Sequence, residues 1–310
     1  MLFEYAVEPS AIGSSWKAFR YWIEKFGFDR GRLISRFPKR WESDVIAAAK
    51  AADMPDIKLA SLVRRLQKAK AEALIASGRD YDPSLGDWLA NALRVHALKP
   101  FHAMVATKCQ SLCAELLDAD DVDEMHGLMA AARNWEVPRV GADLAKAMAP
   151  LLRTAQRVLF VDRFFDIGER RYRETLKASL DVIAASGSSC IDCEIHYGEH
   201  DSRPPANILE RDAARWLTGV IPAGISITLF GWTEKANGAD LHARYLLTDR
   251  GGMNVEAGFS AEGGHQTVSV TLLDIEPWAK TLAAFDQASM VYELSKPILR
   301  IFHDGRVQRM

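Results

Sequence analysis

The chain has 310 residues, 48% of them hydrophobic and 26% charged, with a net charge of −2 and a pI of about 6.5. This is ordinary globular composition, long enough for two domains with cores of their own, and it excludes a global pull toward nucleic acid or anionic membrane; any such binding must come from a local patch. The opening MLFEYAVEPSAIG has neither a basic region nor a long apolar run, and no stretch approaches the roughly eighteen apolar residues of a membrane span, so a soluble cytoplasmic protein without a membrane partner is expected. Four cysteines in a chain of this length do not make a disulfide framework.

In chain order, residues 1–134 read as an all-helical N-terminal domain. Trp16 to Phe26, Trp41 to Ala52, Leu59 to Ala76, Leu85 to Ala97 and Phe101 to Leu117 each carry apolar residues at three- and four-residue spacing, punctuated by Gly31, Pro38, Pro55, Gly78, Pro83 and Pro100. From Arg30 to Lys70 eleven basic residues face four acidic ones, with Phe37 and Trp41 interleaved. Arg36, Lys39, Arg40, Arg64 and Arg65 are the candidates there for contacting a nucleic-acid backbone. The same cations could instead pair with the six carboxylates between Glu115 and Glu124, or serve a partner protein. Cys109 and Cys113, four apart on the last predicted helix, would share a face.

The pattern changes after Asn134. Trp135 to Gly141 reads as a linker, and Asp143 is a candidate cap for a helix running to Gln156. Then strands and helices alternate: RVLFVD (157–162), a helix over Arg170 to Ser186, a strand over Ile191 to Tyr197, a helix over Ile208 to Val220, and a strand over Ile225 to Phe230. Strands over His242 to Thr248, Met253 to Ala257 and Thr267 to Leu272 follow, before a closing helix from Trp278 to Leu294. Such alternation defines an α/β domain with a mixed sheet over residues 143–297.

Cys190-x2-Cys193 followed by His196 and His200 has the ingredients of a zinc site. Strand alternation puts the two cysteines on opposite faces, so no metal and no cofactor are expected. Asp162 and Arg163 leave the first strand of the domain at the end where α/β sheets commonly bind ligands, which makes them candidate substrate contacts or a capping, salt-bridging loop.

The densest chemistry lies in DLHARYLLTDRGGMNVEAGFS, residues 240–260. In a strand, His242 and Arg244 project to one face, Asp249 closes the strand, and Glu256 returns on its neighbour. A histidine beside a cation and a carboxylate suits attack on a phosphodiester, because the imidazole needs its tautomer fixed and a guanidinium can clamp phosphate oxygens. The spacing His242-x-Arg244-x4-Asp249 resembles the H-x-K-x4-D motif of the phospholipase D superfamily, with arginine in place of lysine, and Val255-Glu256-Ala257-Gly258 resembles the following hairpin of its nuclease branch. The resemblance covers residues 145–295 and the order of elements. It implies a phospholipase D-like mixed-sheet fold and metal-independent phosphodiesterase chemistry through a phosphohistidine. His242 would be the nucleophile, Arg244 the phosphate clamp, Asp249 the orienting carboxylate and Glu256 the support of the histidine. Of the superfamily's Gly-Ser-x-Asn stretch, Ser260 stands as the substrate-binding remnant. His196, His200 and His265 lack the second motif, so one motif per chain implies a homodimer. The function expected is a nuclease; the alternatives are an inactive module that binds nucleic acid or a nucleotide, and a phospholipid hydrolase.

Overall fold

A computed structural model of the chain describes residues 2–107, 113–187, 190–200, 203–242 and 244–310. It forms two compact units, Met1–Arg133 and Asn134–Met310.

The first unit is not all-helical. Its elements are β1 (Phe3–Val7), α1 (Pro9–Gly13), α2 (Trp16–Ile23), β2 (Arg32–Arg36), α3 (Trp41–Ala51), α4 (Asp56–Glu72), β3 (Leu74–Ala76), α5 (Trp88–Leu98), β4 (Ala103–Ala106) and β5 (Leu116–Asp118). All five strands are parallel, in the order β3-β2-β1-β4-β5. Tyr5, Val7, Ile34 and Val105 face one core with residues of α1 to α4, while Ala6, Met104 and Leu116 face another with Trp88, Ala92 and Val95 of α5. A sheet covered on both faces has short, continuously apolar strands without alternation, and such runs read as helix. That is why the predicted helix over 101–117 proves to contain β4 and β5, and why the predicted helix over 59–76 ends at Glu72 and gives way to β3.

The second unit holds β6 (Asn134–Arg139), α6 (Gly141–Leu152), β7 (Val158–Val161), α7 (Arg170–Ser186), β8 (Asp192–Gly198), α8 (Ala206–Leu217), β9 (Ser226–Thr233), β10 (Tyr245–Thr248), β11 (Gly252–Val255), β12 (Gly263–Leu272), α9 (Ile275–Ala284), β13 (Glu293–Leu294), β14 (Leu299–Phe302) and β15 (Val307–Arg309). Its sheet runs β15-β14-β9-β8-β7-β10-β11-β12-β6, with β13 also on β9. β7, β8 and β9 are parallel, and every other pairing is antiparallel. The mixed α/β class expected for this half holds. α7 shows why its helix forms: Tyr172, Leu176, Leu180 and Ile183 make one buried stripe, and Gly187, at φ 65°, ends it in the left-handed conformation.

Three expectations are corrected here. The predicted linker at 135–141 is mostly β6, an edge strand, where Pro138 costs little because its missing N–H faces no neighbour. Asp143 is not the cap of α6 but lies in its first turn, beyond Val140. The predicted closing helix stops at Ala284, and the chain goes on past 297 to add β14 and β15 to the sheet.

Candidate functional site

β10 runs antiparallel to β7, with Tyr245 opposite Val161, so the residues just before β10 meet those just after β7. There Asp162 and Arg244 pair, Nε to Oδ1 at 3.4 Å. Asp162 is 1% exposed. Its carboxylate also accepts from the amides of Phe164 at 2.9 Å and Phe259 at 3.2 Å. Burial pushes its pKa up, and those amides and Arg244 pull against the rise. Arg244 in turn donates through Nη1 to the Glu256 carbonyl at 2.5 Å and lies 5.5 Å over the Phe164 ring. The turn that delivers Phe259 passes through Gly258 at φ 78°, where an added Cβ would sit 2.1 Å from Asp162 Oδ2 and 2.7 Å from Arg244 Cδ.

His242 precedes β10 rather than lying in it, so strand alternation does not fix its direction. It is exposed and lines a pocket of about 560 Å³ with Tyr245, Phe285 and Tyr292 and the α9 residues Glu276, Lys280 and Thr281. Arg244, two residues on, is turned to Asp162 instead. Ala243, which separates them, lies outside the described residues.

The other expected partners are not at the imidazole. Asp249 sits at the far end of β10, where its Oδ1 accepts from the amides of Gln156 at 2.8 Å and Arg157 at 3.1 Å and ties down the start of β7. A strand of four residues carries it away from His242. Glu256 has an exposed side chain, and it is its main-chain carbonyl that holds Arg244. Ser260 is buried and its hydroxyl is held by Arg139, so it presents nothing to a substrate. Among the described residues, no side chain is hydrogen-bonded to the His242 imidazole.

What the fold does gather at the carboxyl ends of β7 and β8 is a set of guanidinium groups, two of them paired with carboxylates, around an open aromatic ring. Arg163 pairs with Glu234 at 3.2 Å and lines a second cavity of about 220 Å³ with Glu199, Trp232 and Leu241. Arg203 ties the loop together through the carbonyls of Gly198, Phe165 and Arg163. Phe164, 49% exposed, has the Arg163 guanidinium at 5.8 Å, that of Arg244 at 5.5 Å and the His200 ring at 6.2 Å. Partial burial, with Arg203 and Arg163 nearby, pulls the His200 pKa down. Phe164 and Arg203 have no signal in the sequence beyond their place in loops following parallel strands, and His200 stands there only as an ingredient of the zinc pattern.

His196 is structural. Its Nδ1 accepts from Trp232 Nε1 at 2.9 Å, so Nε2 carries the proton and donates to Glu194 Oε2 at 2.9 Å. Glu194 also takes Arg157 Nε at 2.6 Å and Nη2 at 2.9 Å. Cys190 and Cys193 are not on opposite faces. Cys190 precedes β8, and the two buried thiols lie 3.8 Å apart.

In the first unit, Arg36 pairs with Glu42 at 2.9 Å, Arg40 with Asp44 at 3.1 Å and Arg65 with Glu24 at 3.0 Å. Lys39 and Arg64 are exposed and, among the described residues, in no ion pair. Of the acidic run, Glu124 pairs with Lys25, which precedes the basic stretch. The sheet order reverses between β1 and β4, and there Glu8 accepts from the Thr107 amide at 2.8 Å and its hydroxyl at 3.0 Å. Cys109 lies outside the described residues; Cys113 is in the turn before β5 rather than on a helix.

No family model matches the chain, and no curated protein matches it. Among solved structures it is similar to TrmBL2, an archaeal chromatin protein described as showing a novel mode of DNA binding. The identity is 13% over 80% of this chain and 86% of that one, with a TM-score of 0.28. A likeness at that score assigns neither fold nor role. Among the described residues, no helix is long and apolar enough to cross a membrane.

Proposed function

We propose that the second unit is a metal-independent phosphodiesterase of phospholipase D type that cleaves nucleic acid, with His242 as nucleophile. The observation that carries this reading is the clustering of Arg163, Arg244 and His200 about the exposed Phe164 ring at the carboxyl ends of β7 and β8, with His242 exposed on the loop arriving at that same end. Cations and an open aromatic face suit a phosphate ester bearing a base. In the reaction, an imidazole nitrogen of His242 bonds to phosphorus as the bond to the leaving oxygen breaks. The histidine of a second copy protonates that oxygen. Water then attacks phosphorus and releases His242 and a phosphomonoester. Arg244 supplies the guanidinium face left over from its contacts with Asp162 and the Glu256 carbonyl.

The test is hydrolysis of single- and double-stranded DNA, RNA and a small chromogenic phosphodiester in EDTA by the wild type and His242→Ala, with the mass in solution measured alongside. Turnover in EDTA by a dimer, abolished by the alanine, is the expected result. Activity that survives in His242→Ala, or a strict monomer that turns over, refutes it. A second reading, a module that binds phosphate esters without cleaving them, is favoured by one observation: Arg244 is committed to a buried carboxylate, and among the described residues no carboxylate is hydrogen-bonded to His242. It predicts oligonucleotide binding without turnover in either protein.

A further inference from the structure

The pocket beside His242 is unlike the arginine-rich loop cluster. Its aromatic lining is Tyr245 of β10 and Tyr292, backed by the buried Phe285, on which the Tyr292 ring stacks at 5.5 Å and 27°. The polar part of the lining comes from α9, with Glu276, Lys280 and Thr281, and from Asp240 beside His242. None of the residues of α9 is fully buried: Trp278, Leu282 and Ala284 lie against the core around Leu247 and Phe285, while Glu276, Lys280 and Thr281 line the cavity. At about 560 Å³ the space exceeds what one planar ring needs and suits a nucleotide-sized group. Stacking surfaces with a polar edge are what a heterocyclic base requires, since it offers π-faces above and below and donors and acceptors in its plane. An acyl chain would need neither Glu276 nor Lys280.

We infer that this pocket takes the nucleobase of the nucleotide whose phosphate lies at His242, so that the substrate is an unpaired strand or a free nucleotide and not an intact duplex. The inference rests on the reading of His242 as the phosphate-facing residue. A base paired and stacked in a double helix cannot enter a cavity walled by α9 and β10 without being extruded.

The experiment measures binding separately from turnover, on the full chain in EDTA. Affinities for dAMP and for 2-deoxyribose 5-phosphate, which lacks the base, are compared in the wild type, Thr281→Trp and Ala284→Phe. Both substitutions fill the pocket from the partly exposed face of α9, and circular dichroism checks folding. The wild type is expected to bind dAMP about fivefold or more tighter than the sugar phosphate, and both filled variants to lose that preference. Equal affinities in the wild type, a preference that survives filling, or no dAMP binding at millimolar concentration overturns the inference. An oligonucleotide carrying 2-aminopurine adds a second readout: quenching on binding when single-stranded supports the pocket, and equal binding of the duplex overturns it. Base-dependent binding without any His242-dependent hydrolysis would instead sink the catalytic reading while leaving the pocket standing.

Discussion

Gly258→Ala tests the Asp162–Arg244 centre most directly. The substitution asks an L-residue to hold φ 78° and places a methyl group 2.1 Å from Asp162 Oδ2, in a carboxylate that is 1% exposed. The left-handed conformation alone costs about 1–2 kcal/mol. Relief of the clash moves the turn, which pulls the Phe259 amide off Asp162 and leaves a buried carboxylate short of one donor, a further cost of about 1–3 kcal/mol. The total destabilisation of the second unit is therefore about 2–5 kcal/mol. Gly224→Ala is the internal control, because Gly224 has φ 83° with nothing within 4 Å of an added Cβ and should show the conformational cost alone. Urea denaturation of both variants, followed by tryptophan fluorescence and fitted to the transition of the second unit, gives the comparison. If Gly258→Ala is no more destabilising than Gly224→Ala, the packed carboxylate–guanidinium centre is wrongly drawn.

Asp249→Ala should destabilise the second unit by about 0.5–1.5 kcal/mol, through the lost acceptor for the Gln156 and Arg157 amides, which water can then reach. Oligonucleotide affinity should not change, and a large loss of affinity would restore Asp249 to the site. Glu256→Gln should leave both binding and any turnover as in the wild type, because the contact with Arg244 is made by the main chain; kinetics at saturating substrate check this. His196 has a pKa held below its ordinary value of 6.5 by burial, against the pull of Glu194. The unfolded chain therefore binds a proton that the folded one resists, so this contribution to stability is full above about pH 6.5 and is lost as pH falls toward the depressed value. His196→Gln can keep an acceptor for Trp232 and a donor for Glu194 without titrating, and its unfolding midpoint should fall less steeply between pH 7 and 5 than that of the wild type.

Legibility differed between the two halves for physical reasons. α7 was readable to the residue because seventeen residues of 3.6-fold periodicity leave one interpretation, and β7 stood out as an apolar run between charged neighbours. The first unit's strands, three to five residues long and apolar toward both helical layers, carry no such signature, and their helices dominated the reading. In the site, Asp162 and Arg244 were both singled out, but not as partners, since that depends on the register of β7 against β10. Asp249 closes its strand as the spacing implies, and for that reason it holds the Gln156 and Arg157 amides at the far end of β10 and not the imidazole of His242. The pocket was invisible because α9 and Tyr292 come to Tyr245 only through the fold.

The reversal of direction at β7 has a consequence for how this molecule can change. Parallel β8 and β9 send their outgoing loops, and antiparallel β10 its incoming loop, to one rim of the sheet. The segment between Thr233 and Tyr245 starts and finishes on that rim, anchored by Leu241, whose amide donates to Glu234 at 2.8 Å. Residues 235–240 lie between these anchors outside every ladder pairing, so their length and composition can vary while Leu241 and Arg244 keep their contacts. A change of about half a dozen exposed residues there would reshape the rim beside the pocket and leave the strands beneath as they are.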